Sequence, residues 1–441
     1  MIDTQALRKR IYDMAISGQL THRLLDDTPV DSSLLSYQEE GVEALPEIPV
    51  KWKYCYFDDV LINRDSERIP VSVADRKKLS KIFDYYGASG VIDKVDNYLF
   101  DENLLLIGED GANLLSRSTP IAFIAKGKYW VNNHAHVLQA TEHVLLEYIE
   151  IYINAISLVP YVTGSAQPKL SQHMMSKIPV PVPPIEEQQR IVEIVRTVID
   201  HIDFIDTLQS QYQDNLATLK SKIIDAGIQG KLTEQLPEDG TAEELYQQIQ
   251  QEKLALEKAG KIKKSKPLPP ISDEEKPFDI PENWKWVKLG NVITLASGTD
   301  FKPEDYNDAG IGMPYMTGAS NIENDKLIIN RWTPCPRNIA REGELLLVCK
   351  GSGFGKLVIC NVSETHIARQ FMSIRPYSGV DVNYVKALMT NSFQIIKEAG
   401  KGLIPGVDRD TVLNIPLPLP PLAEQKRIVA KLEELLPLCE G

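Results

Sequence analysis

This chain has no long apolar run: nothing approaches the ~18 consecutive apolar residues of a membrane-spanning helix. Cysteine is scarce. Cys55, Cys335, Cys349, Cys360 and Cys439 are scattered, with no CxxC spacing, so neither a zinc ribbon nor a disulfide framework is indicated. Positive charge is in deficit, with 48 Lys and Arg against 61 Asp and Glu, a formal net charge of −13. That disfavours any partner held by bulk attraction to phosphate; a nucleic-acid reader of this composition must place its basic groups locally or share the contacts with another subunit. There is no NPPY- or DPPY-type tetrapeptide and no FxGxG, which argues against an amino-methyltransferase site. Walker and helicase strings are absent too. CKGSGFGKL (349–357) fails as a P-loop: its Gly-to-Lys spacing is too short and no Ser or Thr follows Lys356. The start, MIDTQALRKRIYD, mixes charges into an amphipathic pattern unlike a secretory signal, and a reducing cytoplasm fits best.

What the chain does contain is duplication. Ile178–Val192 reads IPVPVPPIEEQQRIV and Ile415–Val429 reads IPLPLPPLAEQKRIV. IYDMAISGQLT (11–21) returns as IIDAGIQGKLT (223–233), and IPVKWKY (48–54) as IPENWKW (280–286). Each half therefore runs from a G-x-L-T helix end through an IP-x-x-W-K segment and a long mixed region to a Pro run and a helix start. A duplicated unit suggests one task performed twice.

The helix after the first Pro run has a heptad seam of Ile191, Val195, Val198, Ile202, Ile205, Gln209, Tyr212, Leu216, Leu219 and Ile223. The steps alternate four and three, the stripe is narrow and its flanks are polar, which favours a coiled coil over a buried core helix. From Ile185 to about Ala226 it would span roughly 60 Å. The second copy of this helix is split between the chain ends: Ile428, Leu432 and Leu435 match the beginning of the seam, and Leu7 and Ile11 its end. The two ends read as halves of one helix pairing antiparallel with the central one.

The expected architecture is α+β: two globular α+β domains separated by two long antiparallel helices in a pseudo-twofold, circularly permuted repeat. The expected boundaries are 1–24 (start of the distal helix), 46–184 (first domain), 185–233 (central helix), 234–277 (linker with a short helix), 278–421 (second domain) and 422–441 (end of the distal helix). A capping box, Thr241 and Glu244, opens the linker helix, and the KIKKSKPLPP tail reads as a solvated connector.

Candidate contact residues cluster in polar stretches of the two mixed regions. WVNNHAHVL is expected to be a strand showing Asn132, His134 and His136 on one face, with Lys126 and Lys128 just before it. Two His at i, i+2 can ligate zinc, but no third ligand is evident, so no metal is expected. The matching stretch of the second half, THIARQFMS, carries Arg369 and Gln370, and the nearby Gly-rich turn carries Lys350 and Ser352. Ahead of each Pro run lies a polar loop, with Thr163, Ser165, Gln167 and Lys169 in the first half and Lys401 and Arg409 in the second. Asn, Gln, Arg and His are the side chains that read base edges and phosphates.

On the Pro-run repeats, the IP-x-x-W-K segments, the LLLIGEDG and WVNNHAHVL strings and the G-x-L-T helix ends, the chain resembles the specificity (S) subunit of type I restriction–modification systems over nearly its whole length. The resemblance implies two target-recognition domains, each reading half of a bipartite double-stranded DNA site, with helices that fix the gap. It implies methyltransferase (M) subunits docked on those helices and carrying S-adenosylmethionine, and restriction (R) subunits using ATP and Mg. This chain itself would be non-catalytic, bind no cofactor, and act in the cytoplasm of a bacterium or archaeon without a membrane partner. The acidic charge supports an alternative, a coiled-coil adaptor whose two domains bind proteins.

Overall fold

The computed structural model describes all residues except 22–23, 38–44, 165–166, 265, 352, 400–405, 441 and the side chains of 394–399. The chain divides into two compact units, Met1–Ser210 and Gln211–Gly441. The boundary falls inside one unbroken helix, Ile185–Ile228. Its end matches the sequence expectation: Gly230 adopts φ +70°, and the Lys231 N–H reaches back to the Ala226 carbonyl at 2.9 Å. No helix among the described residues is long and apolar enough to cross a membrane.

Each sequence repeat proves to be part of one joint, built once in each unit. Gly18, at φ +68°, lies against Pro49, so that an added Cβ would come within 2.3 Å of the proline ring. Gly230 meets Pro281 in the same way, at 2.5 Å. No other residue type fits there, because the backbone is left-handed and the space is already filled. Thr21 Oγ1 and Trp52 Nε1 both donate to the buried Glu187 carboxylate, at 2.8 and 3.0 Å. Thr233 and Trp284 donate to Glu424 at 3.2 and 2.8 Å. The motifs G-x-L-T, W-K and P-x-x-E are thus three sides of one contact.

The Pro runs form strands. Val180–Val182 pairs antiparallel with Lys53–Cys55, and Pro416–Leu419 with Lys285–Lys288. Alternate residues of an edge strand point their backbone groups away from the partner, so proline at every second position costs no ladder bond. The outward carbonyls still need donors, and buried tyrosines supply them: Tyr148 Oη donates to the Pro181 carbonyl and Tyr384 Oη to that of Pro418, each at 2.6 Å.

Each unit holds two four-stranded sheets of matching order. In the first unit, Leu61–Asn63, Ala135–Ala140, Leu104–Gly108 and Ala122–Ala125 form one; Gly90–Val95, Phe83–Gly87, Lys128–Val131 and Phe100–Asp101 form the other. In the second unit the counterparts are Ile293–Ser297, Phe371–Pro376, Leu345–Val348 and Leu357–Ile359, then Trp332–Thr333, Met313–Met316, Glu364–Ile367 and Ile339–Arg341. The central strand is apolar at every position because both faces are covered. Leu105 and Ile107 enter one core cluster and Leu104 and Leu106 another, and Leu345 and Leu347 alternate with Leu346 and Val348 likewise.

Three sequence expectations need correction. The seam is not a continuous apolar zipper: Ile191, Val195 and Ile202 are buried, as are Ile428 and Leu432, but Tyr212, Leu219 and Leu7 are exposed. Val198, Ile205, Gln209, Leu216, Ile223, Ile11 and Leu435 are half-buried. The N-terminal helix, Thr4–Ile16, runs antiparallel to the central one, with Tyr12, Ala15 and Ile16 in the first unit's apolar core but polar contacts at its start. Thr4 donates to Asp206, Arg8 pairs with Asp203 and Asp206, and Gln209 exchanges hydrogen bonds with the Ile2 backbone. In the second unit Leu422–Leu435 runs antiparallel to the end of the central helix, with Lys220 3.4 Å from Glu440. Second, the linker helix, Ala242–Lys258, has the expected capping box, yet Ala242 and Ile249 are fully buried in the second unit's core. The short helix of the linker is thus docked on that core rather than solvated on all sides. Third, residues 132–134 do not belong to a strand; they form the turn between Lys128–Val131 and Ala135–Ala140.

Candidate nucleic-acid interface

In the first unit four segments converge at one end of the central strand: the Glu109–Asp110 turn, the 132–134 turn, Arg64–Pro70, and the loop 163–172. The loop is tied at its base. Thr163 and Lys169 exchange backbone hydrogen bonds at 2.8 and 2.9 Å, the Leu170 N–H donates to the Glu109 carbonyl, and the Gly111 N–H donates to the Pro168 carbonyl. Thr163, Gln167 and Lys169 are left exposed, and Ser165 lies outside the described residues. Lys169 Nζ is 3.0 Å from Glu109 Oε1. His134 is exposed, with Nδ1 2.7 Å from Asp110 Oδ2.

The sequence pattern has Asn132 and His136 facing a ligand, and neither does. Asn132 is buried and its Oδ1 accepts from the His134 backbone N–H at 2.8 Å, so it shapes the turn. His136 is fully buried. Its Nδ1 lies 2.6 Å from Asp65 Oδ2, and its Nε2 lies 2.7 Å from the Leu170 carbonyl oxygen. Lys126 and Lys128 are exposed but follow Ala125, whose ladder partner is Leu104. They sit at the opposite end of the central strand from Glu109, away from the other candidates. Lys128 is 3.8 Å from Asp101 and lies over the Tyr98 ring.

No local sequence signal points to Asp65, Arg68 or Gln172. Asp65 accepts from the Val137 N–H at 2.8 Å and from Gln172 Nε2 at 2.8 Å. Burial pushes its carboxyl up, but hydrogen bonds from His136, Val137 and Gln172 outweigh this and hold it below the usual carboxylate range. Burial likewise raises Glu109, and contacts with Arg68 and Lys169 bring it below its ordinary value. Asp65, Glu109 and His136 lie close enough to suggest metal ligands. Arg68 already pairs with both carboxylates, however, 3.3 Å from Asp65 and 2.7 Å from Glu109, so the cluster is balanced by the protein's own charge.

The second unit assembles the same corner from different residues. Arg369 Nε is 2.6 Å from Asp300, and Arg409 donates to Ser297 Oγ at 3.1 Å. Arg369, Gln370, Lys350 and Arg409 are exposed. Lys350 bridges to Gly406 through the backbone, while Ser352 and Lys401 lie outside the described residues. Beside them sits an aromatic group that sequence reading does not reveal. The Phe301 ring lies 4.3 Å from that of His366 and carries Arg337 over it at 5.5 Å, and Arg331 lies over Tyr306. Burial lowers the His366 pKa, and its Nδ1 accepts from the Arg337 and Asn338 N–H groups, so the ring is held neutral. Both corners expose polar and basic groups on loops set by rigid strands, which suits contact with a polyanion better than covalent chemistry.

Comparison with known proteins bears on most of the chain. The family model for the type I restriction modification DNA specificity domain matches twice, over residues 49–211 and 281–439. The type I restriction enzyme EcoAI specificity subunit of Escherichia coli is 28% identical over 338 residues, 63% of this chain and 56% of that protein. The EcoEI specificity subunit of the same species is 27% identical over 346 residues, covering 63% and 57%. The chain thus spans just over half the length of these relatives. A solved chain described under "Structural basis underlying complex assembly and conformational transition of the type I R-M system" superposes with a TM-score of 0.60 at 18% identity. The match covers 89% of this chain and 92% of that one, a likeness of fold.

Proposed function

The chain belongs to the type I restriction modification DNA specificity family, and from that premise we propose that it is the non-catalytic sequence-reading subunit of a restriction–modification complex. Each unit reads one half of a bipartite site in double-stranded DNA. The observation that carries this reading is the contrast between a frame built twice from the same residues and corners built from different ones. A protein that binds two unlike half-sites needs that combination.

The remaining parts of the reading follow from it. Methyltransferase subunits dock on the helices and bring S-adenosylmethionine and the adenine chemistry; restriction subunits bring ATP and Mg. No cofactor site is assigned to this chain, and the missing methyltransferase and Walker strings support that division. The acidic net charge is tolerable if partner subunits share the phosphates. The unbroken helix Ile185–Ile228 supports a spacer role, since half-sites on a duplex recur at about 34 Å per turn and a bipartite reader needs a fixed separation.

The test is replacement of Gln167 and Lys169 by alanine. DNA binding should weaken at fixed salt while assembly with the methyltransferase persists; unchanged affinity counts against the assignment of the loop. Inserting four residues within 205–212 should change the gap between half-sites. A methylome retaining the old gap would rule out the spacer role.

A further inference from the structure

The buried corner of the first unit offers more than stability, and its importance shows when the two units are placed in register. Leu105 pairs with Leu138 as Leu345 does with Ile374, and Asn63 pairs with Leu138 as Leu295 does with Ile374. Continuing those ladders makes Asp65 equivalent to Ser297, Glu109 to Cys349 and His136 to Met372. The isolated bridges Asp110–Lys169 and Lys350–Gly406 then make Gln172 equivalent to Arg409. The loop-to-strand contact exists in both units, as Gln172 on Asp65 and as Arg409 on Ser297. Among the described residues, only in the first unit is it backed by a buried ionic cluster.

We infer that His136 and Asp65 are positioning residues for sequence reading by the first unit: they hold the loop 163–172 through the Leu170 carbonyl and the Gln172 amide, and so fix where Gln167 and Lys169 present themselves. This rests on the DNA-reading function proposed above. His136 spans the gap between loop and sheet, with an oxygen that carries no hydrogen at each ring nitrogen. The ring thereby ties a carboxylate on the sheet side to a backbone carbonyl of the loop, with no solvent between them. Arg68 closes the cluster against Glu109, which in turn holds Lys169. A methionine at 136, the residue type of the second unit, fills the volume but makes neither bond. The loop would stay attached and lose its setting.

The test compares the full wild-type chain with its His136→Met variant, each assembled with its methyltransferase subunits, on duplex libraries randomised in either half-site. The expected result is a loss of about tenfold in preference at the first unit's half-site, the worth of one base contact, with the second half-site unchanged. Amide exchange measured without DNA should rise at 168–172 and nowhere in the second unit. Retained preference at both half-sites overturns the proposal, and so does an equal loss at both, which would mark a merely structural role. Gln172→Ala removes the loop side of the contact without opening the core; if His136→Met fails to fold, this variant must show the same one-sided loss in smaller degree. If the wild-type chain selects no bipartite DNA while exchange at 168–172 still rises in the variant, the DNA-reading function has failed and the clamp has not.

Discussion

The two units share a joint and differ at a corner. At the joint, Trp52 and Thr21 meet Glu187 as Trp284 and Thr233 meet Glu424. Arg190 pairs with Asp27 as Arg427 does with Asp239. Gln188 caps the Leu145 N–H as Gln425 caps that of Asp381. At the corner, the first unit has Asp65, Glu109 and His136 where the second has Ser297, Cys349 and Met372. The joint is a connected set of hydrogen bonds centred on the buried carboxylates of Glu187 and Glu424, so loss of one member strands the others and every member is held to its chemistry. The corner can be filled by ions or by apolar atoms, provided that its polar groups are balanced, and so it is free to diverge with whatever its loops touch.

The comparison can be broken most forcefully at the joint. Trp52→Ala and Trp284→Ala should each cost about 3–5 kcal/mol, the usual range for emptying a buried aromatic site. Urea unfolding should show similar losses for both; a large loss in one unit alone would mean the joints are not equivalent. A smaller effect is expected at the Pro strands. Tyr148→Phe and Tyr384→Phe should each cost about 1–3 kcal/mol by leaving a proline carbonyl without a donor, and matched thermal melts would check this. Smallest, and confined to one unit, is a response to acid. Asp65 titrates below its ordinary value in the folded chain. Its contribution is therefore present above the unfolded aspartate range, near pH 4, and is lost as pH falls through the lower folded value. Amide exchange should show the first unit's corner loosening in acid while the Ser297–Met372 corner does not respond through this group. Equal loosening of both corners would exclude protonation of Asp65 as the cause.

Much of the frame is legible in the sequence because it is written in local signals that occur twice. Proline alternation and left-handed glycines act within a few residues, and repetition separates them from chance. The ends of the central helix are readable for the same reason, as is the continuous burial of LLLIG and LLLV. Of the candidate site, the exposed loop residues Gln167, Lys169, Arg369 and Arg409 can be read from polarity and position, and the structure leaves them exposed. His136 misleads, since a polar residue near a polar turn carries no mark of the carboxylate waiting 71 positions earlier. Arg68, Phe301 and Arg337 escape notice because their partners come from other strands. The seam promises too much at Tyr212 and Leu219: heptad spacing defines a stripe, and only a neighbouring helix of sufficient length buries it.

The sequence by itself determined that the chain is a duplicated frame holding two mixed domains, because local backbone chemistry and its repetition need no knowledge of long-range contacts. The tertiary structure decided which polar residues face outward and which are locked inside, because that depends on pairing between strands far apart in the chain. It also decided that the two corners, alike in register, hold their loops in different ways.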